Sequence, residues 1–435
     1  MFSFVLTTVR FRLFLLMIGG LLSSYLSYSQ PTILQYARSL VDTLSSPSMH
    51  GRGYVMKGDS IAADYIKKEF EKFGLSSIEG GFYQKFNLNI NTFPTTVQIE
   101  SKQKKYITGK DFILQGGSGS LKGSFKTSII NNKILSAKKE KNKLRKTDFS
   151  NKVIVADKRG LDKTEEGKKI LDQLKLNTFK SKAVLFLEDV KLTAGYSQKA
   201  EDFPIITFMR TSIDPIPDTL SFDVQNKFLS NYQTQNVIGS IKGTHYPDSF
   251  IIFSAHYDHL GRMGKDIYFP GANDNASGVA MLLRMVQHYK KNPPKFSIAF
   301  IAFGAEEAGL VGSKYYVEHP LFPLNQIKFL INMDILGTGD EGIKVVNATE
   351  HPKEFDELVK INSERNLLAS VQPRGKAANS DHFPFSEKGV KAFFIYTLGG
   401  IKAYHDIYDR AETLPLTKFE EVYNLLWEFT DYLQK

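Results

Sequence analysis

Histidine and carboxylate side chains follow the apolar runs of this 435-residue chain at the points where strands are expected to end. His256 and Asp258 come directly after the run 250–255, and an extended chain would point both side chains to the same side. One of the two could bind a metal ion while the other orients it, because a metal-bound imidazole commonly gives its second N–H to a carboxylate. A His-x-Asp pair is also common in ordinary loops, so its meaning depends on the other candidate ligands.

Two adjacent acids, Glu306 and Glu307, stand close to the end of another apolar run, 297–303. Neighbouring carboxylates at the end of a buried strand repel each other and lose hydration, so a cation is expected beside them. A metal ion meets this need, with one acid as its ligand and the other free to move protons. A helix N-terminus, which also favours acids, is the alternative interpretation.

Three further candidates lie in comparable places. Asp274 belongs to the glycine-flanked loop 271–278, which opens into a predicted helix, so it could cap that helix or bind metal. Asp334 directly follows an apolar run, and His405 lies downstream of the run 392–397. One zinc ion needs three protein ligands and an open position, so five ligands with one bridging carboxylate would hold two ions.

The elements that must position these residues alternate between strands and helices beyond residue 236. This alternation predicts an α/β fold, in which helices cover both faces of a mostly parallel sheet. Ligands in such folds collect where the strands end and the loops begin. The predicted strands are 250–255, 296–303, 327–333, 343–346 and 392–397, and the predicted helices are 277–289, 309–317, 353–366 and 417–433.

The chain before residue 233 divides into two parts. Residues 30–81 contain two amphipathic helical patterns, 33–44 and 60–73, which predict helices that pack on the catalytic domain. Residues 82–232 change to short β-branched and aromatic runs, with one helix predicted near 165–174, and contain no histidine. We therefore expect a smaller β-rich inserted domain here, followed by a catalytic domain over residues 233–435.

The first 29 residues are typical of a secretory signal peptide. Arg10 and Arg12 precede the apolar run 13–22, and Ser27 and Ser29 offer small residues for cleavage. The run is about half as long as a membrane-spanning helix requires, so cleavage is favoured over a permanent anchor. The sequence thus predicts an exported protein, periplasmic or extracellular, without stable membrane insertion after cleavage.

Composition limits the remaining possibilities. The chain has no cysteine, so its metal ligands must be His, Asp and Glu, and no disulfide supports the fold. The formal net charge is +10, and basic residues crowd into 133–146. We interpret this run as a solvated loop, with attraction to anionic envelope surfaces as the alternative, and expect no nucleic-acid partner.

The motifs, taken together and in order, closely resemble those of metallopeptidase family twenty-eight, the co-catalytic zinc aminopeptidases. The segments that carry the resemblance are His256-Tyr257-Asp258-His259, the loop 271–278, Gly304-Ala305-Glu306-Glu307, Asn332-Met333-Asp334, Ser380-Asp381-His382 and Tyr404-His405. The upstream segments 49–53 and 57–59 are similar to the usual entry into this family's catalytic domain. Residues 82–232 more loosely resemble the protease-associated domain that many members carry as an insert.

The resemblance implies roles for individual residues. It implies two Zn²⁺ ions, with Asp274 as the bridging ligand, Glu306 as the general base and Asp258 behind the first histidine. It places Asp381 and His382 near the site without metal ligation, and gives His259 a supporting or packing role. The implied ligands are His256, Asp274 and Asp334 for one ion, and Asp274, Glu307 and His405 for the other.

Peptides with free amino termini are the substrates that the resemblance implies. Three alternatives remain: a glutaminyl cyclase-like acyltransferase, which uses a single zinc ion, a carboxypeptidase on the same fold, and an inactive binding ectodomain. The complete ligand set argues against the ectodomain. Residues 406–409 differ from the family's usual stretch after the last ligand, so the resemblance does not determine the shape of the substrate pocket.

Overall fold

The computed structural model describes residues 32–78 and 80–435 of the chain. The predicted signal peptide, residues 1–29, lies outside these residues. Within the described part, no helix combines the length and the apolar character needed to cross a bilayer.

All seven helices predicted from the sequence are present among the described residues, and three others accompany them. In chain order they are α1 (Ile33–Leu44), α2 (Gly58–Lys72), α3 (Asn132–Ser136), α4 (Lys138–Lys146), α5 (Glu165–Lys175), α6 (Gly278–Lys291), α7 (Val311–Glu318), α8 (Pro352–Arg365), α9 (His382–Glu387) and α10 (Phe419–Leu433).

The strands form two large sheets and one short hairpin. In chain order they are β1 (Tyr83–Thr92), β2 (Val97–Glu100), β3 (Phe112–Leu114), β4 (Leu121–Ile130), β5 (Lys152–Asp157), β6 (Ala183–Glu188), β7 (Ile205–Met209), β8 (Thr219–Val224), β9 (Lys227–Ile241), β10 (Tyr246–His256), β11 (Arg262–Met263), β12 (Ile267–Tyr268), β13 (Phe296–Phe303), β14 (Ile327–Met333), β15 (Gly342–Val346), β16 (Val371–Arg374) and β17 (Ala392–Leu398).

The larger sheet has eight strands in the order β1-β9-β13-β10-β14-β17-β15-β16. Its centre, β13-β10-β14-β17, is parallel. β9 runs antiparallel to both β1 and β13, and β15 runs antiparallel to β17. The α/β class is therefore confirmed, and the sheet is mixed, with the predicted parallel arrangement in its central strands.

The central strands are buried on both faces. Phe253 of β10 and Phe300 of β13 pack into the core on one side, whereas their neighbours Ile252 and Ile301 pack into the core on the other. This follows from the two-residue period of a strand, which sends alternate side chains to opposite faces. Each such buried side chain contributes about 1.5–3 kcal/mol relative to exposure, which is why these strands read as nearly continuous apolar runs.

The two N-terminal helices lie where the sequence predicts them. Thr32 and Gln35 form a reciprocal capping box that fixes the start of α1. The apolar face of α1, including Leu40 and Leu44, belongs to the same core as α6 and α10. These helices therefore pack on the large sheet.

The second sheet has seven strands in the order β2-β8-β4-β5-β6-β7-β3, and it is also mixed. The helix predicted near 165–174 is present as α5. The basic run 133–146, interpreted from sequence as a loop, instead forms α3 and α4, with no buried residue in α4. Lys, Glu, Arg and Leu are good helix formers, and this local preference prevails in the exposed segment.

The second sheet occupies a shorter part of the chain than the insert predicted over residues 82–232. β1 and the first part of β9 pair with each other in the large sheet, from Tyr83↔Val237 to Thr92↔Lys227. The seven-stranded sheet lies between Val97 and Val224. An alternating pattern identifies a strand but not the sheet that it joins, because pairing is decided by contacts distant in sequence.

Candidate active site

Three neighbouring parallel strands bring candidate ligands to one edge of the large sheet. His256 is the last residue of β10 and pairs with Phe303, the last residue of β13, three residues before Glu306. β14 lies on the other side of β10 and ends at Met333, directly before Asp334. The carboxyl ends of parallel strands thus position these groups together.

Loops outside the strands bring the remaining candidates. Asp274 lies in a π-helical turn, Ala272–Ser277, that leads into α6. The Asp409 carboxylate accepts hydrogen bonds from the backbone N–H groups of Asn273 (2.8 Å) and Asp274 (3.0 Å). The sequence analysis assigned no role to Asp409, which lies in the segment 406–409 that departs from the family's usual stretch.

The first cluster contains His256, Asp274 and Asp334, all buried. His256 Nε2 lies 3.3 Å from Asp274 Oδ1 and 3.3 Å from Asp334 Oδ1. Zinc bonded at about 2.0–2.1 Å in a tetrahedron separates its ligand atoms by roughly 3.3 Å. The donor set and its spacing therefore fit a zinc ion.

The second cluster uses the other oxygen of Asp274. His405 Nε2 lies 3.0 Å from Asp274 Oδ2 and 3.1 Å from Glu307 Oε2. These separations are also close to the edges of a zinc tetrahedron. Asp274 is thus placed as a carboxylate that can be shared by two ions.

His259 stands beside this second cluster, closer than the sequence analysis required. Its Nδ1 lies 2.7 Å from Glu307 Oε1 and 4.0 Å from Asp274 Oδ2. His259, Asp274 and Glu307 are therefore also a group able to hold a metal ion. His405 is nearer than His259 to Asp274, and it faces the Glu307 oxygen that His259 does not contact.

Asp258 acts differently from the expectation that its carboxylate orients the imidazole of His256. His256 Nδ1 lies 3.1 Å from the backbone carbonyl of Asp258 and 3.9 Å from its Oδ1. The carboxylate instead accepts the backbone N–H groups of Glu306 (3.0 Å) and Glu307 (3.3 Å). β10 ends at His256, so the extended geometry assumed from sequence does not continue to Asp258. Asp258 consequently fixes the loop that carries both glutamates.

A chain of hydrogen bonds supports Asp334 from behind. The Ser254 hydroxyl donates to Oδ1 of Asn332 over 2.8 Å. Nδ2 of the same Asn332 side chain donates to the Ser380 hydroxyl, also over 2.8 Å. Ser380 in turn donates to Asp334 Oδ2 over 3.2 Å. This leaves Oδ1 of Asp334 directed at His256, as a ligand pair requires.

Asp381 and His382 are fully buried next to this chain. Burial, together with the charge of Asp334, raises the pKa of Asp381 to about 7. Burial lowers the pKa of His382 to about 4, and its ring packs 5.3 Å from that of Phe394. Asp381 therefore lies close enough to Asp334 for their charges to interact. The supporting role of Asp381 and His382 stays a prediction.

The electrostatics of the cluster favour a bound cation. Burial, followed by the charges of Asp381, Glu307 and Asp334, raises the pKa of Glu306 well above its usual value. Burial opposes ionisation of Glu307 as well, yet His405 and His259 lower the pKa of Glu307 to about 2. Several carboxylates thus share one buried space, where a divalent ion would offset their repulsion and leave Glu306 able to exchange a proton.

Arg52, to which sequence reasoning gave no role of its own, supports these loops from below. Its guanidinium is fully buried and donates only to backbone carbonyls. Burial lowers the pKa of Arg52 to about 10, whereas the nearby Asp274 and Asp409 favour its charge. The acceptors are Leu44 (2.8 Å), Tyr257 (2.7 Å), Pro270 (2.7 Å), Gly271 (2.8 Å) and Asp274 (3.2 Å).

Known proteins are similar in sequence to the part of the chain that carries the candidate site. Residues 236–430 match the sequence profile of Peptidase family M28. Aminopeptidase YwaD of Bacillus subtilis strain 168 is 31% identical over 214 residues, which is 48% of this chain and 45% of that protein. A probable zinc metalloprotease of Pyricularia oryzae is 34% identical over 113 residues, which is 25% of this chain and 22% of that protein. This chain therefore spans less than half the length of these curated relatives.

Solved structures share the fold over nearly the whole chain. BSAP, a zinc aminopeptidase from Bacillus subtilis, superposes with a TM-score of 0.67 at 20% identity, covering 91% of this chain and 93% of that chain. A peptidase M28 precursor from Shewanella amazonensis SB2B gives 0.66 at 16% identity, covering 92% and 93%. At these identities the likeness shows a common fold that includes both sheets.

Proposed function

We propose that this chain is a zinc-dependent aminopeptidase that removes amino-terminal residues from peptides, because residues 236–430 match the sequence profile of Peptidase family M28. The observation that carries this proposal is the convergence of two ligand clusters on opposite oxygens of Asp274. A single metal site would not need both oxygens of one buried carboxylate directed at separate histidines. The name of the relative YwaD supports an aminopeptidase over other peptidases.

The proposed ligands are His256, Asp274 and Asp334 for one ion, and Asp274, Glu307 and His405 for the other. Two zinc ions would supply Lewis acidity and a nucleophilic water at neutral pH. The carboxylates and imidazoles of these five residues would hold the ions.

Glu306 is the proposed general base. It takes a proton from the attacking water and returns it to the leaving amine as the peptide bond breaks. The raised pKa of Glu306, which burial and its acidic neighbours cause, suits a group that must both accept and release a proton. The Asp258 carboxylate accepts the backbone N–H groups of Glu306 and Glu307, which restrains the backbone of the loop that carries Glu306.

Glu306→Gln tests this assignment. We expect the variant to keep its zinc content and to lose roughly 10²–10⁴-fold in kcat, because the amide cannot accept the proton. The measurements are metal analysis and hydrolysis of a leucyl chromogenic substrate on the same sample. Glu318→Gln, which changes an exposed acid on α7, is the matched control and should leave both quantities unchanged.

Substrate profiling separates the proposal from its alternatives. Peptides with free amino termini should be cleaved and amino-terminally blocked peptides should not, with blocking of the carboxyl terminus having little effect. Pyroglutamyl products would indicate a cyclase, and sensitivity only to the carboxyl-terminal block would indicate a carboxypeptidase. Near-normal turnover by Glu306→Gln would remove this residue from the mechanism.

We also propose that the protein is exported. The support is the apolar run 13–22, which Arg10 and Arg12 precede and small residues follow, as is typical of a cleaved signal peptide. Amino-terminal sequencing of the protein from its native envelope or medium would test this, with a mature start near residue 30 expected.

A further inference from the structure

One segment of the inserted domain lies across the loops of the candidate site. We name residues 189–199, between β6 and β7, the strap. It contacts the His405 loop, the glutamate loop and the loop that follows His256. These loops belong to the large sheet, so the strap joins the two sheets at the site itself.

The strap forms direct hydrogen bonds with His405. The Ala194 N–H donates to the His405 carbonyl over 2.9 Å, and Nδ1 of the imidazole lies 3.2 Å from the Ala194 carbonyl oxygen. When Nδ1 carries the proton, it can donate a hydrogen bond to this carbonyl, and Nε2 then carries the free lone pair. Nε2 is the atom that faces Asp274 and Glu307.

The backbone of His405 needs such support. Its φ angle is +54°, in the left-handed region that non-glycine residues rarely occupy. This conformation persists only where surrounding contacts favour it over the ordinary alternatives. The two hydrogen bonds to Ala194 provide contacts of this kind, from a different domain.

Lys191 fastens the strap to both sides of His405. Its Nζ donates to the carbonyls of Tyr404 (2.9 Å) and Lys402 (3.1 Å) and lies 3.5 Å from the Asp406 carboxylate. Three acceptors match the three protons of the ammonium group. The residues before and after the histidine are therefore held by one side chain of the insert.

Two other strap residues reach the neighbouring loops. Gln198 Nε2 donates over 2.7 Å to the carbonyl of Ala308, the residue that follows Glu307. Tyr196 packs so closely on Gly53 and Gly261 that a Cβ at either glycine would collide with its hydroxyl. The strap thus crosses the site instead of touching one point at its rim.

We propose that the inserted domain positions the metal ligand His405 through the strap, with Ala194 fixing the imidazole and Lys191 locking the loop around it. This inference rests on the proposed function, because it takes His405 to be a ligand. The strap residues act through His405 and are positioning residues. The insert is accordingly a structural part of the metal site, beyond any contact that it makes with substrate.

Lys191→Ala tests the proposal in the full-length protein, with Lys191→Arg as the conservative variant. Lys199→Ala is the matched control, because Lys199 belongs to the same strap and its contacts there are made by its backbone. The first readout is hydrogen exchange of the metal-free protein over residues 402–408. The second is zinc affinity and stoichiometry, measured by competition with a chelator.

We expect Lys191→Ala to raise exchange over 402–408 roughly three- to tenfold, the effect of losing one or two hydrogen bonds. Zinc affinity at one of two sites should fall on the order of tenfold, as for loss of an outer partner of a ligand. Lys191→Arg should recover most of both effects, and Lys199→Ala should show neither. Wild-type exchange and zinc binding in Lys191→Ala would overturn the proposal.

The outcome is separable from that of the proposed function. If the wild-type protein binds zinc but cleaves no peptide, the aminopeptidase proposal fails while the effect of Lys191 on exchange and affinity still stands. If the protein is an active aminopeptidase and Lys191→Ala changes neither readout, only the role of the strap is refuted.

Discussion

Replacing His259 by leucine removes the hydrogen-bond donor that faces Glu307. His259 is fully buried, and its Nδ1 lies 2.7 Å from Glu307 Oε1, while Glu307 Oε2 faces His405 at 3.1 Å. Each carboxylate oxygen of Glu307 therefore faces a different imidazole, Oε1 that of His259 and Oε2 that of His405. We expect His259 to hold Glu307 so that Oε2 remains directed at the metal, without itself being a ligand.

The magnitude follows from the burial of Glu307. Its side chain is only 4% exposed, so in the leucine variant Oε1 loses its donor and little water can replace it. A buried acceptor left unsatisfied costs about 1–3 kcal/mol, and loss of an outer partner lowers metal affinity about 10–100-fold. These ranges agree, since each tenfold in affinity is about 1.4 kcal/mol.

Asparagine provides the matched variant. It has nearly the shape of leucine, and its amide N–H₂ reaches approximately the position of the Nδ1 atom, so it can still donate to Glu307. We expect His259→Leu to bind zinc about 10–100-fold more weakly than wild type, and His259→Asn to recover most of this loss. Chelator competition would measure the affinity of both variants alongside their zinc content.

Two results would refute this reasoning. Equal zinc affinity in wild type and His259→Leu would show that the hydrogen bond has no effect on the ligand. An equally severe loss in His259→Leu and His259→Asn, with one zinc missing from each, would show that the imidazole is itself a ligand.

Two further predictions concern groups buried around the site. Arg52→Lys replaces five N–H donors by three, so at least two of the five carbonyl contacts are lost. Urea unfolding of the metal-free protein should show that the free energy of unfolding falls by about 2–6 kcal/mol. The control Arg365→Lys, at an exposed position, should change this free energy by under about 0.5 kcal/mol. For His382, whose pKa burial lowers to about 4, the folded protein prefers the neutral ring and the unfolded chain takes up the proton. Wild type should therefore lose about 2 kcal/mol relative to His382→Phe as the pH falls from 7 to 5, and a stability difference that stays constant over this range would contradict a neutral buried ring.

The amino-acid sequence determined the fold class and the order of the main elements. The apolar runs that became β10, β13 and β14 are continuous because these strands are buried on both faces, and this pattern can be read locally. The resemblance to peptidase family M28 that the motifs indicated is confirmed by the profile match over residues 236–430. The structure also brings His256, Asp274, Glu307, Asp334 and His405 together. Their role as metal ligands stays a prediction.

Only the tertiary structure decided which groups support these ligands. The contact of Ala194 with His405 uses a backbone carbonyl, which every residue possesses, so no residue type could indicate it. Arg52 is buried by loops more than 200 positions away, and Asp258 contacts backbone N–H groups in place of the imidazole. Likewise, β1 reads as a strand locally but joins the large sheet through β9. Local sequence patterns report burial and periodicity. The pairing of strands and the hydrogen-bond partners of the ligand candidates depend on segments that are distant in sequence and meet only in the folded chain, so only the three-dimensional structure reveals them.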